Sequence, residues 1–338
     1  MTTMRDVAAR AGVSGKTVSR VINDDRYVSD GVRKRVQGAI DELNYVPNML
    51  SQTFRHGRDS AIGVAVPSGA DVFLGAVIQA IADEAHSRQT AVMITNLGYQ
   101  PEEEQAAVEV LLRRHISGLI IVPISSDHRY IRPWQQRTQV VFVDRSPRGV
   151  TADDVVHDDV GGARKAVAQL AGTGHRRIAF VGNALAVETT ASRLRGYEAE
   201  IVERGLVIDP DLRVIDHEDP DFATRVLDRL LNRDDPATAI FCTNSQMSIR
   251  LVPELHSRGH ADMGFISFGD FPMADCVEPA ITVIDQDPWL LGVTAARRLF
   301  QRIDRPTARL KRHIVLPVEL RLRESSGTVP ISPIRRIG

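Results

Sequence analysis

A chain of 338 residues with 43% hydrophobic and 25% charged side chains is long enough for more than one domain, and its mixed polarity argues against a disordered or membrane-embedded protein. The net charge is −1, yet residues 1–58 carry ten Lys/Arg against six Asp/Glu, so the remainder is acidic. A basic head on an acidic body is the electrostatic footprint of a nucleic-acid-binding module joined to a regulatory one.

The first elements are two short helices. Thr3 can cap the first, with Asp6 near its positive end, and Val7, Ala8 and Ala11 make one apolar face. Gly12 suits the left-handed residue that ends a helix, and Ser14 can cap the next, whose inner face is Val18, Val21 and Ile22. Its outward face is Gly15, Lys16, Thr17, Ser19, Arg20 and Asn23, a run of donors and cations suited to base edges and phosphates. An amphipathic helical hairpin with a solvated face fits the same pattern. Ser29 is placed to cap a third helix over 30–43, closed by Asn44 in a left-handed conformation. Residues 45–55 follow, with Pro47 suited to a first helical turn, in a segment too short to be a stable helix alone. A polar stretch, 55–59, leads out of it.

From residue 61 apolar strands alternate with helices. Strands are expected at 62–66, 91–95, 118–122, 140–144, 177–181, 213–215, 239–242 and 264–268, another from about 281 ahead of the last helix, and a last one at 315–322. Helices are expected at 73–88, 102–114, 161–173, 190–205, 221–232, 245–258 and 288–303. Continuous apolar strands separated by helices imply parallel sheets covered on both faces, in two series and hence two lobes. Ligands in such architectures lie in the crevice at the carboxyl ends of the strands, which points to Pro67–Phe73, Asp144, Arg145, Asn183, Asn244, Ser245, Gly269 and Asp270.

Enzymatic signatures are missing: the chain has no Gly-x-Ser-x-Gly elbow and no phosphate loop. Gly172-Thr173-Gly174-His175 precedes a strand and is expected to be a helix-end turn, and His256 and His260 are interrupted by Gly259. No metal, cofactor or catalytic residue is expected. Cys242 and Cys276 sit in apolar sequence and are expected to be buried and reduced. With a helix from about residue 4 and no apolar run of membrane-spanning length, a cytoplasmic, nucleoid-associated location is expected.

Asp6-Val7-Ala8, Ala11-Gly12-Val13-Ser14, Thr17-Val18-Ser19-Arg20-Val21-Ile22-Asn23, Val28-Ser29, Arg35-Val36 and Leu43-Asn44-Tyr45-Val46-Pro47-Asn48 together resemble the LacI/GalR family of bacterial transcription regulators, and the resemblance continues to about Glu324. It implies a small all-α helix-turn-helix headpiece (1–46), a hinge helix and linker (47–60), and an α/β core like a periplasmic binding protein (61–325), with a tail at 326–338. The core would hold two discontinuous lobes, 61–157 with 287–314 and 158–286 with 315–325. The partners implied are operator DNA, a second copy of the chain through helices 73–88 and 102–114, and a small effector of sugar, polyol or nucleoside class. No membrane partner is implied. The DNA contacts it implies are Thr3, Ser14, Gly15, Lys16, Thr17, Ser19, Arg20, Asn23, Tyr45, Asn48, Ser51, Phe54 and Arg55, with Phe54 standing where a family leucine wedges into the minor groove. The effector contacts it implies are Asp71, Phe73, Arg145, Asp158, Arg193, Asn244, Ser245, Asp270 and Gln286.

Departures narrow this expectation. The family usually has asparagine at the positions of Asp71 and Asp159, an Asn-Asp pair at Asn244-Ser245, and aspartate at Gly269; a base-reading side chain is common where Gly15 stands. A simple sugar of the usual kind is therefore open to question. A modified sugar, polyol, glycoside or nucleoside fits, as does gating by a protein partner, and activation stands beside repression.

Overall fold

The computed structural model describes residues 2–22, 25–45 and 61–327. The sites expected at Asn23, Asn48, Ser51, Phe54 and Arg55, with the hinge and most of the tail, lie outside the described residues. The chain divides into two compact units, Met1–Asp59 and Ser60–Gly338.

The first unit is three helices: α1 (Met4–Ala11), α2 (Gly15–Ile22) and α3 (Asp30–Glu42). Thr3 and Asp6 form a reciprocal capping box, the Thr3 hydroxyl accepting from the Asp6 amide and the Asp6 carboxylate from the Thr3 amide at 2.8 Å. Gly12 has φ +65°, the left-handed value a helix end needs. The Thr17 amide donates to Ser14 Oγ, which caps α2. Ser29 stands at the start of α3 but its side chain makes no cap hydrogen bond; there Asp30 alone puts negative charge by the helix end. Asn44 takes φ +45° and closes α3. Val7, Val18 and Val36 are fully buried, with Ala8, Ala11, Val21 and Ala39 around them. These small side chains let three short helices approach closely, which a unit this size needs to exclude water from its core.

In the second unit, the chain runs through β1 (Ala61–Val66), α4 (Val72–His86), β2 (Ala91–Asn96), α5 (Glu104–Leu112), β3 (Gly118–Ile121), β4 (Gln139–Val143) and β5 (Asp153–His157). It continues through α6 (Asp159–Gly172), β6 (Ile178–Gly182), α7 (Glu188–Glu203), β7 (Arg213–Ile215), α8 (Phe222–Leu231), β8 (Ala239–Cys242), α9 (Ser245–Ser257), β9 (Gly264–Phe268) and β10 (Thr282–Asp285). It ends with α10 (Pro288–Asp304), β11 (His313–Leu316) and β12 (Glu319–Arg321). Two six-stranded sheets result, ordered β11-β5-β4-β3-β1-β2 and β12-β10-β9-β8-β6-β7. Every pairing is parallel except β10 with the edge strand β12. Strands such as β3, β6, β8 and β9 are buried along their whole length, because helices cover both faces.

Three expectations need correction. The single last strand expected at 315–322 is two strands in different sheets, separated at Pro317 and Val318. Strand β5 was not foreseen. It opens with two aspartates, and both are buried: Asp153 lies 2.8 and 2.9 Å from Arg302 and 3.1 Å from Arg298, and Asp154 lies 2.7 Å from His313 and 2.8 Å from the Ser146 hydroxyl. Cys242 is buried, but Cys276 is exposed.

Helices α4 and α10 pack closely at Gly292, where an added Cβ would sit 2.6 Å from the Val77 carbonyl oxygen and 2.7 Å from Ala80 Cβ. An alanine there would gain about 1 kcal/mol of helix propensity. The obstacle is backbone, so the helices must part, and we expect Gly292→Ala to cost a net ~1–3 kcal/mol in urea unfolding. An unchanged or raised midpoint would show that the two helices can separate freely.

Candidate functional site

Two surfaces concern function, one in each unit. On α2, Gly15, Lys16 and Arg20 are exposed, while Thr17 and Ser19 are half-buried. Arg20 lies 3.6 Å from Asp25, a loose pair at the surface that DNA phosphates or base edges can outcompete. Nothing lies within 4 Å of a Cβ placed on Gly15, so packing inside the protein does not demand glycine there. Thr3 and Ser14 are spent on their caps, Ser14 Oγ also lying 2.9 Å from Thr17 Oγ1, and Tyr45 packs against the headpiece core.

The second surface is a cleft of about 580 Å³ at the carboxyl ends of the strands of both sheets. The first lobe contributes Asp71, Phe73, Tyr99, Asp144 and Arg145; the second contributes Asn183, Thr189, Thr190, Arg193, Glu218, Asn244, Ser245 and Arg250; Gln286 comes from a crossover between them. This is where parallel strands must place a ligand, because their helices cover everything else.

Arg193 sits at the floor. Its Nε and Nη2 donate to Asp159 Oδ1 at 2.8 and 2.7 Å, Nη1 donates to the Thr243 carbonyl, and the guanidinium lies 3.7 Å over the Phe268 ring. Its charge is therefore answered inside the protein. Burial raises the Asp159 carboxyl to about 6 against the opposing pull of Arg193. Asn244 caps α9 with its side-chain oxygen, which accepts from the Met247 amide at 2.8 Å, and turns its amide nitrogen to Glu218 at 3.4 Å. Burial pushes the Glu218 carboxyl above its usual range, while Asn244 and Arg250 hold it down. Arg145 donates to the Pro123 carbonyl at 2.7 Å and lies beside Asp144.

Seven of the nine effector positions thus converge on the cleft: Asp71, Phe73, Arg145, Arg193, Asn244, Ser245 and Gln286. The other two do not line it. Asp158 is exposed, its carboxylate accepting from the Gly161 amide at 2.8 Å as the cap of α6. Asp270 is ion-paired with Arg323 at 2.6 Å and faces a smaller apolar pocket of about 230 Å³. Tyr99 and Glu218 went unforeseen, although each follows the carboxyl end of a strand, β2 and β7, and the strand-end rule could have found them. Among the described residues no group of three or more His, Cys, Asp or Glu could hold a metal, and no helix is long and apolar enough to cross a membrane.

Residues 3–48 match the model for bacterial regulatory proteins of the lacI family, and residues 167–326 match the periplasmic-binding-protein-like domain. The regulator GalS of Salmonella typhimurium is 31% identical over 288 residues, 84% of this chain and 85% of its own length. The chain belongs to the LacI family. The ribose operon repressor of Escherichia coli is 28% identical over 94% of the chain and 98% of its own length. The lac repressor dimer bound to operator and the anti-inducer ONPF superimposes with a TM-score of 0.84 at 27% identity, covering 97% of this chain and 99% of the other. As a member of the LacI family, the chain is a DNA-binding regulator of transcription and not an enzyme.

Beneath the cleft, burial lowers the His157 imidazole to about 4; the Asp144 and Asp287 carboxylates and a hydrogen bond to the Gln286 backbone oppose this, and Arg193 adds to it. The unfolded chain binds that proton below about 6.5 and the folded chain only near 4. Protonation thus favours unfolding, and this contribution to stability falls as pH drops from 6.5 toward 4. Asp159 titrates in the same window with the opposite sign, so the His157 part must be read from a difference. We expect the stability of wild type relative to His157→Phe, from urea unfolding at pH 4.5, 5.5 and 7, to rise with pH and level off above 6.5. Parallel curves would refute it.

Proposed function

We propose that the protein is a homodimeric repressor that reads a near-palindromic operator with α2 and is controlled by a small neutral, hydroxyl-rich ligand in the cleft. The observation that carries the ligand reading is the charge pattern of the cleft. Arg193 is already neutralised by Asp159, while Asp71, Asp144 and Glu218 all line the wall. Three carboxylates ask for hydrogen-bond donors, and a sugar, polyol or nucleoside supplies them without adding negative charge. The opposing Arg145 and Arg250 keep the site from favouring a bare cation.

For DNA, Lys16 and Arg20 are the exposed cations on the outward face of α2, with the reach to donate to guanine O6 and N7. Helices α4 and α5 are the proposed dimer surface, and Val72 and Val110 on them are 46% and 57% exposed. A two-fold dimer then presents two headpieces to two half-sites. The hinge segment with Phe54 is proposed to order on the operator and wedge at its centre.

Two measurements test this. Once an operator has been selected from random DNA, Arg20→Ala should cost about 1–3 kcal/mol and relax one position of each half-site; an equal loss on all sequences would make Arg20 a phosphate contact. In a thermal-shift screen with ribose, galactose, cellobiose, myo-inositol and adenosine, a ligand at a hundred times its Kd should stabilise the core by about 2.7 kcal/mol. Arg193→Ala should abolish that shift. No shift with any of them would remove the hydroxyl-ligand reading.

A further inference from the structure

The body is acidic as a whole, yet its positive charge is not spread evenly. All six strands of the first lobe's sheet run parallel, so the stretches that lead into them lie along one end of it. Exposed cations gather there. Arg88 precedes β2, Arg113 and Arg114 precede β3, and Arg137 precedes β4. The loop into β11, 305–312, adds Arg305, Arg309, Lys311 and Arg312. Residues 87–90, 113–117, 135–138, 149–152 and 305–312, which lead into β2, β3, β4, β5 and β11, contain no Asp or Glu.

Most of this charge is unanswered. Arg88 lies 3.2 Å from Asp304, Arg113 2.9 Å from Glu109 and Arg312 3.7 Å from buried Asp153. Among the described residues, Arg114, Arg137, Arg305, Arg309 and Lys311 enter no ion pair. The same end of the second lobe differs: its loops mix the two signs, and Arg177 and Arg233 are answered there by Asp209, Asp211 and Asp235. The loop into β11 is also held in place. Asp153 anchors Arg302 and Arg298, and these donate to the carbonyls of Ala308 and Lys311. Cations on a fixed frame lose less freedom on binding than cations on a loose one.

This is also the end of the sheet at which the chain arrives from the headpiece. Ala61 opens β1, which lies between β3 and β2, and its carbonyl accepts from the Ser117 amide at 3.0 Å, three residues after Arg114. Residues 46–60 join it to Tyr45, a span of no more than about 55 Å even when fully extended. DNA bound by α2 is thereby tethered to this face at a high effective concentration.

We infer that the basic end of the first lobe is a second DNA contact, in which Arg305, Arg309, Lys311 and their neighbours pair with backbone phosphates without reading bases. A phosphate backbone presents anions at short, regular intervals, and exposed Arg and Lys are the side chains that meet it. The five stretches contain no Phe, Trp or Tyr, the usual anchors of a protein–protein interface. The inference goes beyond the ligand reading above and is independent of it.

The test follows operator binding by the full chain as a function of salt. Each phosphate contact adds about 0.9 to the slope of log K against log salt, so Arg305→Ser/Arg309→Ser/Lys311→Ser should lower that slope by roughly two to three. Discrimination against single mismatches should be unchanged, because phosphates carry no sequence. A control with the same charge removed from the second lobe, Arg176→Ser/Arg195→Ser/Arg229→Ser, should keep the wild-type slope. An unchanged slope in the first variant would overturn the inference and leave the face to an acidic protein. Equal falls in both variants would overturn it too, as an effect of net charge alone. Should the triple variant not fold, Arg309→Ser decides, with an expected fall of about one. If wild type selects no operator, the reading by α2 fails, and the same slopes on random duplex still test this face.

Discussion

One guanidinium organises the floor of the cleft. Arg193, on α7, reaches Asp159 at the start of α6, the Thr243 carbonyl at the end of β8 and the face of Phe268 at the end of β9. A buried charge without partners costs several kcal/mol, so these four elements are held in one relation as long as the arginine stays inside. The same pairing sets the chemistry of the cavity. An arginine whose charge is already answered presents leftover N–H groups to a ligand and little net field. In the proposed ligand complex, selectivity then passes to the carboxylates and amides on the walls: Asp71, Asp144, Glu218 and Asn244.

Parallel topology places this cavity and the joints between the lobes together. The chain leaves one sheet for the other after β5, after β10 and after β11, each time from the carboxyl end of a parallel strand. Those ends are also where the cleft lies. Asp287, at the second crossing, has φ +43° and caps α10 with its carboxylate. A left-handed non-glycine residue at a crossing fixes the exit direction at some conformational cost. A molecule bound in the cleft therefore touches the segments that set the angle between lobes. It can shift that angle only by the difference in its affinity for the two arrangements.

Much of this was legible from local sequence. The capping box at Thr3 and Asp6, the turn at Gly12 and the stop at Asn44 are decided by neighbours within a few residues, and the apolar strands announce themselves by composition. What escaped notice depended on distant partners. Asp153 and Asp154 disguise β5 as a polar loop because their counter-charges arrive from Arg298, Arg302 and His313, about 150 residues later. Pro317 has no amide hydrogen to give, so the ladder of β11 stops there and the chain is free to enter the other sheet as β12. Asp158 was chosen by resemblance and Asp270 also by its place after a strand end, and each is claimed by another partner: Gly161 three residues on, Arg323 fifty-three away.

The departures from the family pattern also gain a physical reading. Gly269 has φ +92°, a conformation that only glycine adopts without strain, and a Cβ there would lie 3.2 Å from the Gln286 side-chain amide oxygen and 3.5 Å from Ser245 Cβ. Ser245 is itself buried. A carboxylate at position 269 would crowd Gln286, whose side-chain amide nitrogen lies 3.4 Å from His157 Nδ1. The acceptors are found elsewhere, on Glu218 and Asp144, with Glu218 held by the amide of Asn244, whose oxygen is fixed as a helix cap. Carboxylates have thus not been lost from the cleft so much as moved around its wall, and a ligand that fits this arrangement must present its hydrogen-bond donors along different directions.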